Sequence, residues 1–138
     1  MGHTRRNLPT MTTILAAYDR LVEVGIGRRT ELAATLAERG HTITATDIYQ
    51  RDVPERVQFV RDDIVDPNLS VYADADAIYA RNLPPELHRP ARDVARAADA
   101  AFLFTTLGGD QPAIPVERQT IQAGTLYVST HPESSRDA

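Results

Sequence analysis

Glu23, Gly25 and Gly27 stand close together, and an acid followed by two alternate glycines can do chemistry. Leu21–Val24 before them is short and apolar, and Glu31–Arg39 after them has helical periodicity. Together they read as strand, tight turn and helix. Glycine has no Cβ, so the backbone of such a turn can approach a ligand closely, with the helix amides facing it. Asp47 follows about 20 residues later, the separation at which an acid accepts hydrogen bonds from ribose hydroxyls. Asp63, Arg81, Asn82 and Asp110 also fall at or just past the ends of apolar runs. Arg28 and Arg29 open the helix, where an exposed cation opposes the helix dipole by roughly 0.3–1 kcal/mol. They read either as holders of an anion or as arginines that are solvated or paired with Glu23 or Glu31.

The elements that must bring these residues together follow from pattern. Met11, Ile14, Leu15 and Tyr18 have helical spacing, so Thr10–Tyr18 is expected to cover a sheet. His41–Thr46 is β-branched and reads as a second strand, Val57–Val60 as a third and Ala75–Ala80 as a fourth. Leu83–Glu86 opens a helix running to about Ala98, with His88 on its polar face, and Ala100–Thr106 is a fifth strand. Glu117–Gln122 and Thr125–Ser129 read as a hairpin at the sheet edge. Alternating strands and helices, joined by right-handed crossovers, predict an α/β doubly wound, mostly parallel sheet of order 3-2-1-4-5 with helices on both faces. Ligands bind such sheets outside the carboxyl ends of the strands, where strand order reverses. The candidate residues should therefore converge on one edge. One domain over residues 10–130 is expected, with flexible ends at 1–9 and 131–138.

Composition removes several classes of chemistry. The 138 residues contain no cysteine, which excludes thiolate nucleophiles, thiolate metal sites and disulfides. All 15 cationic residues are arginine, which excludes a Schiff-base lysine and a P-loop lysine. No histidine pair has zinc-ligand spacing, and no metal is expected. A net charge of −4 is not that of a general nucleic-acid coat. No apolar run approaches the ~20 residues needed to span a bilayer, so a cytoplasmic location without membrane contact is expected.

The run VEVGIGRR resembles the first motif of Rossmann-like S-adenosylmethionine-dependent methyltransferases, acid-x-Gly-x-Gly. The resemblance spans about residues 20–105. It implies that S-adenosylmethionine is the cofactor, with Glu23 positioning its methionine portion, Gly25 and Gly27 admitting it, and Asp47 binding its ribose. It also implies that Asp63, within FVRDDI, meets the adenine amino group. Arg29 stands where that family's third glycine falls. VEVGIGRR, ATD, FVRDDI, IYARNLPPEL and LGG together resemble a small archaeal family of uncharacterised Rossmann-like proteins.

A methyl acceptor would be lined by Arg81, Asn82 and Asp110. The catalytic residues themselves stay unassigned. Two other readings stay open. One is a protein that binds NAD(P) or another nucleotide in the same cleft, although Thr30 stands where the GxGxxG fingerprint needs glycine. The other is a non-catalytic interaction module on a reduced methyltransferase fold, with a protein partner or a second copy bound.

Overall fold

The computed structural model describes residues 7–130. The expected tail at 131–138 and residues 1–6 of the expected frayed start lie outside the described residues. Leu8 and Pro9 are not loose. Gln122 donates from its backbone to the Pro9 carbonyl and from its side chain to the Leu8 carbonyl, both at 3.0 Å.

The chain runs α1 (Met11–Leu15), β1 (Arg20–Val24), α2 (Glu31–Glu38), β2 (Thr42–Asp47) and β3 (Gln58–Arg61), then a 3-10 turn at Leu69–Val71. It continues through β4 (Ala77–Ala80), a 3-10 turn at Pro85–Leu87, α3 (His88–Ala98), β5 (Ala101–Phe104), β6 (Val116–Ile121) and β7 (Gly124–Ser129). One seven-stranded sheet of order β3-β2-β1-β4-β5-β7-β6 forms the middle layer. Its first five strands are parallel and β7 pairs antiparallel to β5. This is the expected Rossmann-like sheet, with the hairpin turned so that its second strand lies inside. Leu126 and Tyr127 of β7 are buried against β5, whereas Glu117–Thr120 of β6 are exposed. A charged edge strand resists pairing with another chain.

Alternation along the strands splits the core in two. Val22, Val24, Ile78, Phe102 and Phe104 pack against α3, with the Phe102 and Phe104 rings stacked 4.9 Å apart. Leu21, Ile43, Ala77 and Leu103 face the other way, under α1 and α2 with Leu15, Leu32 and Leu36. Each large side chain buried in this way contributes about 1.5–3 kcal/mol.

His88 departs from expectation. It is fully buried, and its ring packs 4.5 Å from Phe104. The Ala113 amide donates to Nδ1 at 3.0 Å, so Nε2 carries the proton and donates to the Leu83 carbonyl at 2.9 Å. The 3-10 turn at Pro85–Leu87 rotates the start of α3 and brings His88 inward. The imidazole then ties the loop after β4 to the loop before β6.

Candidate functional site

The turn after β1 is stitched to the end of β2. Gly25 and Gly27 have φ of +68° and +58°, a region that non-glycine residues rarely enter. A Cβ added at either would meet no heavy atom within 4 Å, so the space above the turn is open. The Gly25 and Ile26 amides both donate to the Thr46 carbonyl, at 2.9 and 3.0 Å. The Gly27 amide donates to Asp47 Oδ2 at 2.8 Å, and the Tyr49 amide to Oδ1 at 3.0 Å. Arg51 Nε lies 3.4 Å from Oδ2, and its guanidinium sits 5.3 Å from the centre of the Tyr49 ring. Asp47 is thus an acid fixed by backbone donors at the joint of two strands.

A cleft of about 250 Å³ opens beside it, walled by Gly25, Asp47, Tyr49, Asp62, Asn82 and Leu83. The acid from the end of β3 in this wall is Asp62, not Asp63. Asp62 Oδ2 accepts from the Tyr72 hydroxyl at 2.6 Å, and Oδ1 accepts from the Asn68 amide at 3.0 Å. Burial and the Asp62 hydrogen bond push the Tyr72 phenol up from its ordinary value. Asp63 is exposed, accepts from the Val65 amide at 2.9 Å and lies outside the cleft. Sequence reasoning also passed over Ile48 and Tyr49, which remain 51% and 60% exposed at the cleft mouth. Their signal was present, since two large apolar residues directly follow a strand-ending acid.

Glu23 is held differently. Parallel pairing of β1 with β4 sets it beside Tyr79 on the α2 face. The Tyr79 hydroxyl donates to Oε1 at 2.8 Å. Arg81 Nη2 is 3.5 Å from Oε2 and donates to the Arg29 carbonyl at 2.7 Å. Glu23 is only 1% exposed, so it does not open onto the cleft. Burial pushes its carboxyl from the usual 4.5 up to about 7, although Arg81, Tyr79 and Arg29 all pull it down. Burial and the neighbouring Glu23 push the Tyr79 phenol up in turn. Arg81 Nε is buried without a hydrogen-bond partner.

Arg81 also belongs to a second, larger space. A cavity of about 740 Å³ lies between α1, the first turn of α2, the end of β5 and the β6–β7 turn. Arg29, Thr105, Thr106, Gly108 and Tyr127 line it together with Arg81. Asn82 lines the smaller cleft instead and takes a φ of 54°, its amide donating to Thr105 Oγ1 at 2.9 Å. Arg28 and Asp110 are exposed and wall neither space. The Asp110 carbonyl accepts from the Thr106 hydroxyl at 3.0 Å. Among the described residues no group of three or more His, Asp or Glu is placed to hold a metal ion. No described helix is long and apolar enough to cross a membrane.

The sequence profile of the Uncharacterised protein family (UPF0146) matches residues 6–131. The chain belongs to UPF0146. A UPF0146 protein of Halobacterium salinarum is 55% identical over 122 residues, which are 88% of this chain and 95% of that one. The UPF0146 fold is also found among solved structures. The 1,6-didemethyltoxoflavin-N1-methyltransferase of Burkholderia thailandensis, solved with 1,6-didemethyltoxoflavin and S-adenosylhomocysteine bound, aligns at a TM-score of 0.54 and 21% identity. That alignment covers 91% of this chain but 61% of the enzyme, so the UPF0146 chain spans under two thirds of that enzyme's length. A TehB-like SAM-dependent methyltransferase of Corynebacterium glutamicum aligns at a TM-score of 0.55 and 15% identity, over 80% of this chain and 77% of that one. At these identities the likeness is one of fold alone, a Rossmann-like sheet that this chain shares with those methyltransferases.

Proposed function

We propose that the UPF0146 chain binds S-adenosylmethionine at the carboxyl ends of β1, β2 and β3 and is methyltransferase-like in function. One observation carries this reading. Asp47, fixed by the amides of Gly27 and Tyr49, faces a cleft that opens beside the Gly25 turn. Oδ1 of Asp47 holds one backbone donor and keeps capacity for a ribose hydroxyl, whereas at Oδ2, which holds the Gly27 amide, a second hydroxyl would share the oxygen with Arg51 Nε at 3.4 Å. In this reading Asp62 replaces Asp63 as the acid at the adenine end, and Ile48 and Tyr49 cover the base.

The residues fit such a ligand on one condition. The cleft of about 250 Å³ is below the roughly 300–1,000 Å³ common for small-molecule sites. Arg81 walls both this cleft and the larger cavity. The methionine end would reach Glu23 when Arg81 leaves it, and an ammonium would then replace the guanidinium at Oε2. When bound, the cofactor supplies a methyl group on a sulfonium, which is transferable without a metal. The chain's part is to orient the two reactants and to exclude water, with Leu83 and Asn82 at the boundary.

Isothermal titration of ligand-free protein with S-adenosylmethionine, and with its demethylated product, tests this. Binding should weaken at least about tenfold in Asp62→Ala, the loss of one charge-assisted hydrogen bond, and change less than about twofold in Asp63→Ala. Absence of binding by both ligands overturns the reading. The seal of Tyr79 and Arg81 over Glu23 favours a second reading, a non-catalytic module in which that seal is permanent.

A further inference from the structure

We infer that the cavity of about 740 Å³ is a site for a small, hydroxyl-bearing anion, a phosphate or carboxylate, held by Arg29 and Arg81. As an anion site it stands on its own geometry; as the place of a methyl acceptor it rests on the reading above.

Four observations converge. The volume is that of a metabolite-sized site. Its charged lining is Arg29, Arg81 and Glu31, a local excess of positive charge in a chain whose net charge is −4. Low-dielectric walls focus such a local field on whatever enters. Arg29 makes no hydrogen bond or ion pair through its side chain with the described residues, and Arg81 keeps a buried Nε without an acceptor. Threonine is the most frequent residue in the wall, and Thr12, Thr35 and Thr125 bring hydroxyls with no hydrogen bond to other described residues. Hydroxyls both donate and accept, so they suit the uncharged part of a polar ligand.

The wall also accounts for why Arg29 stands in a glycine-rich turn. Its carbonyl holds Arg81 at 2.7 Å and the residue itself lines the cavity, so Arg29 both positions one guanidinium and brings a second to the same wall. Arg28, one position earlier, does not line it. An anion between the two guanidiniums would compete with Glu23 for Arg81. Filling the cavity would then free Glu23 toward the smaller cleft, which couples the two spaces through one side chain.

The test uses the full chain without cofactor. Amide spectra are recorded during titration with inorganic phosphate and, separately, with citrate, at constant ionic strength. Saturable shifts should concentrate at Thr105, Thr106, Gly108 and Thr125. Preference for phosphate assigns a phosphorylated ligand, and preference for citrate a carboxylated one. Arg29→Gln keeps the carbonyl that holds Arg81 and should weaken binding about three- to fivefold, the size of a half-exposed charge pair. Glu31→Gln should tighten binding, and Arg56→Gln, on an exposed loop, should leave it unchanged. Shifts scattered over surface arginines, or insensitivity to Arg29→Gln, overturn the inference. Titration with S-adenosylmethionine reads out separately at Asp47 and Tyr49. Anion binding without shifts there removes the cofactor reading alone, and the reverse outcome removes this one alone.

Discussion

Asp47 and Glu23 lie near the carboxyl ends of neighbouring parallel strands, β2 and β1, on the same side of the sheet, yet they are built as opposites. Asp47 is held by two backbone amides that cannot turn away, and it faces an open cleft. Glu23 is held by two side chains from the end of β4, and solvent is shut out. Backbone donors hold a carboxylate in one place whether or not a ligand is present. Side-chain donors fix it only in one arrangement, and burial makes its charge costly. Position at the end of a strand therefore does not determine an acid's role; the donors that meet it do.

The largest test of this contrast is Asp47→Ala. It removes the acceptor for two amides, and bonds to a charged group are worth about 1.5–3 kcal/mol each, so urea unfolding should show a loss of about 3 kcal/mol. A loss under about 1 kcal/mol would mean that the clamp is ornamental.

Next comes the pH dependence of Glu23. Its folded-state carboxyl is pushed to about 7 from the usual 4.5. The folded chain thus holds an extra proton between those values, and stability present below about 4.5 is lost as pH rises through about 7. The loss should be on the order of 3 kcal/mol and absent in Glu23→Gln. Unfolding curves at pH 5 and pH 8 compare the two proteins, and equal pH dependence sinks the assignment. Tyr79→Phe is the smallest change, about 1 kcal/mol at pH 8. Without the phenol's hydrogen bond the Glu23 carboxyl should rise further, moving the pH window upward; a window that stays or falls contradicts the geometry.

Much of the sheet was legible because β-branched and apolar runs alternate with helical ones, and crossover handedness leaves few topologies. The order of β1 to β5 follows from that, and so does the convergence of Gly25, Asp47 and Arg81 on one edge. The inner place of β7 depends on which hairpin strand buries Leu126 and Tyr127, a tertiary preference that pattern alone does not rank. Asp62 and Asp63 are consecutive, so the cleft-facing acid is decided by how β3 ends, and Asp62 is drawn in by the Tyr72 hydroxyl. The Tyr79–Glu23 bond joins residues 56 positions apart, and neither residue type announces it. Helical phase running straight through Pro85–Leu87 places His88 outward, but the chain winds more tightly there and His88 is buried.

The bond from Gln122 to Leu8 spans 114 positions. During synthesis the first wall of the larger cavity leaves the ribosome long before the last one exists. The cleft beside Asp47 uses residues 24–87 and can take shape earlier. Closing so long a loop is entropically slow, so the cavity should mature last and open first. Deleting residues 10–12 would remove part of that cavity's wall, whereas none of these three residues lines the neighbouring cleft.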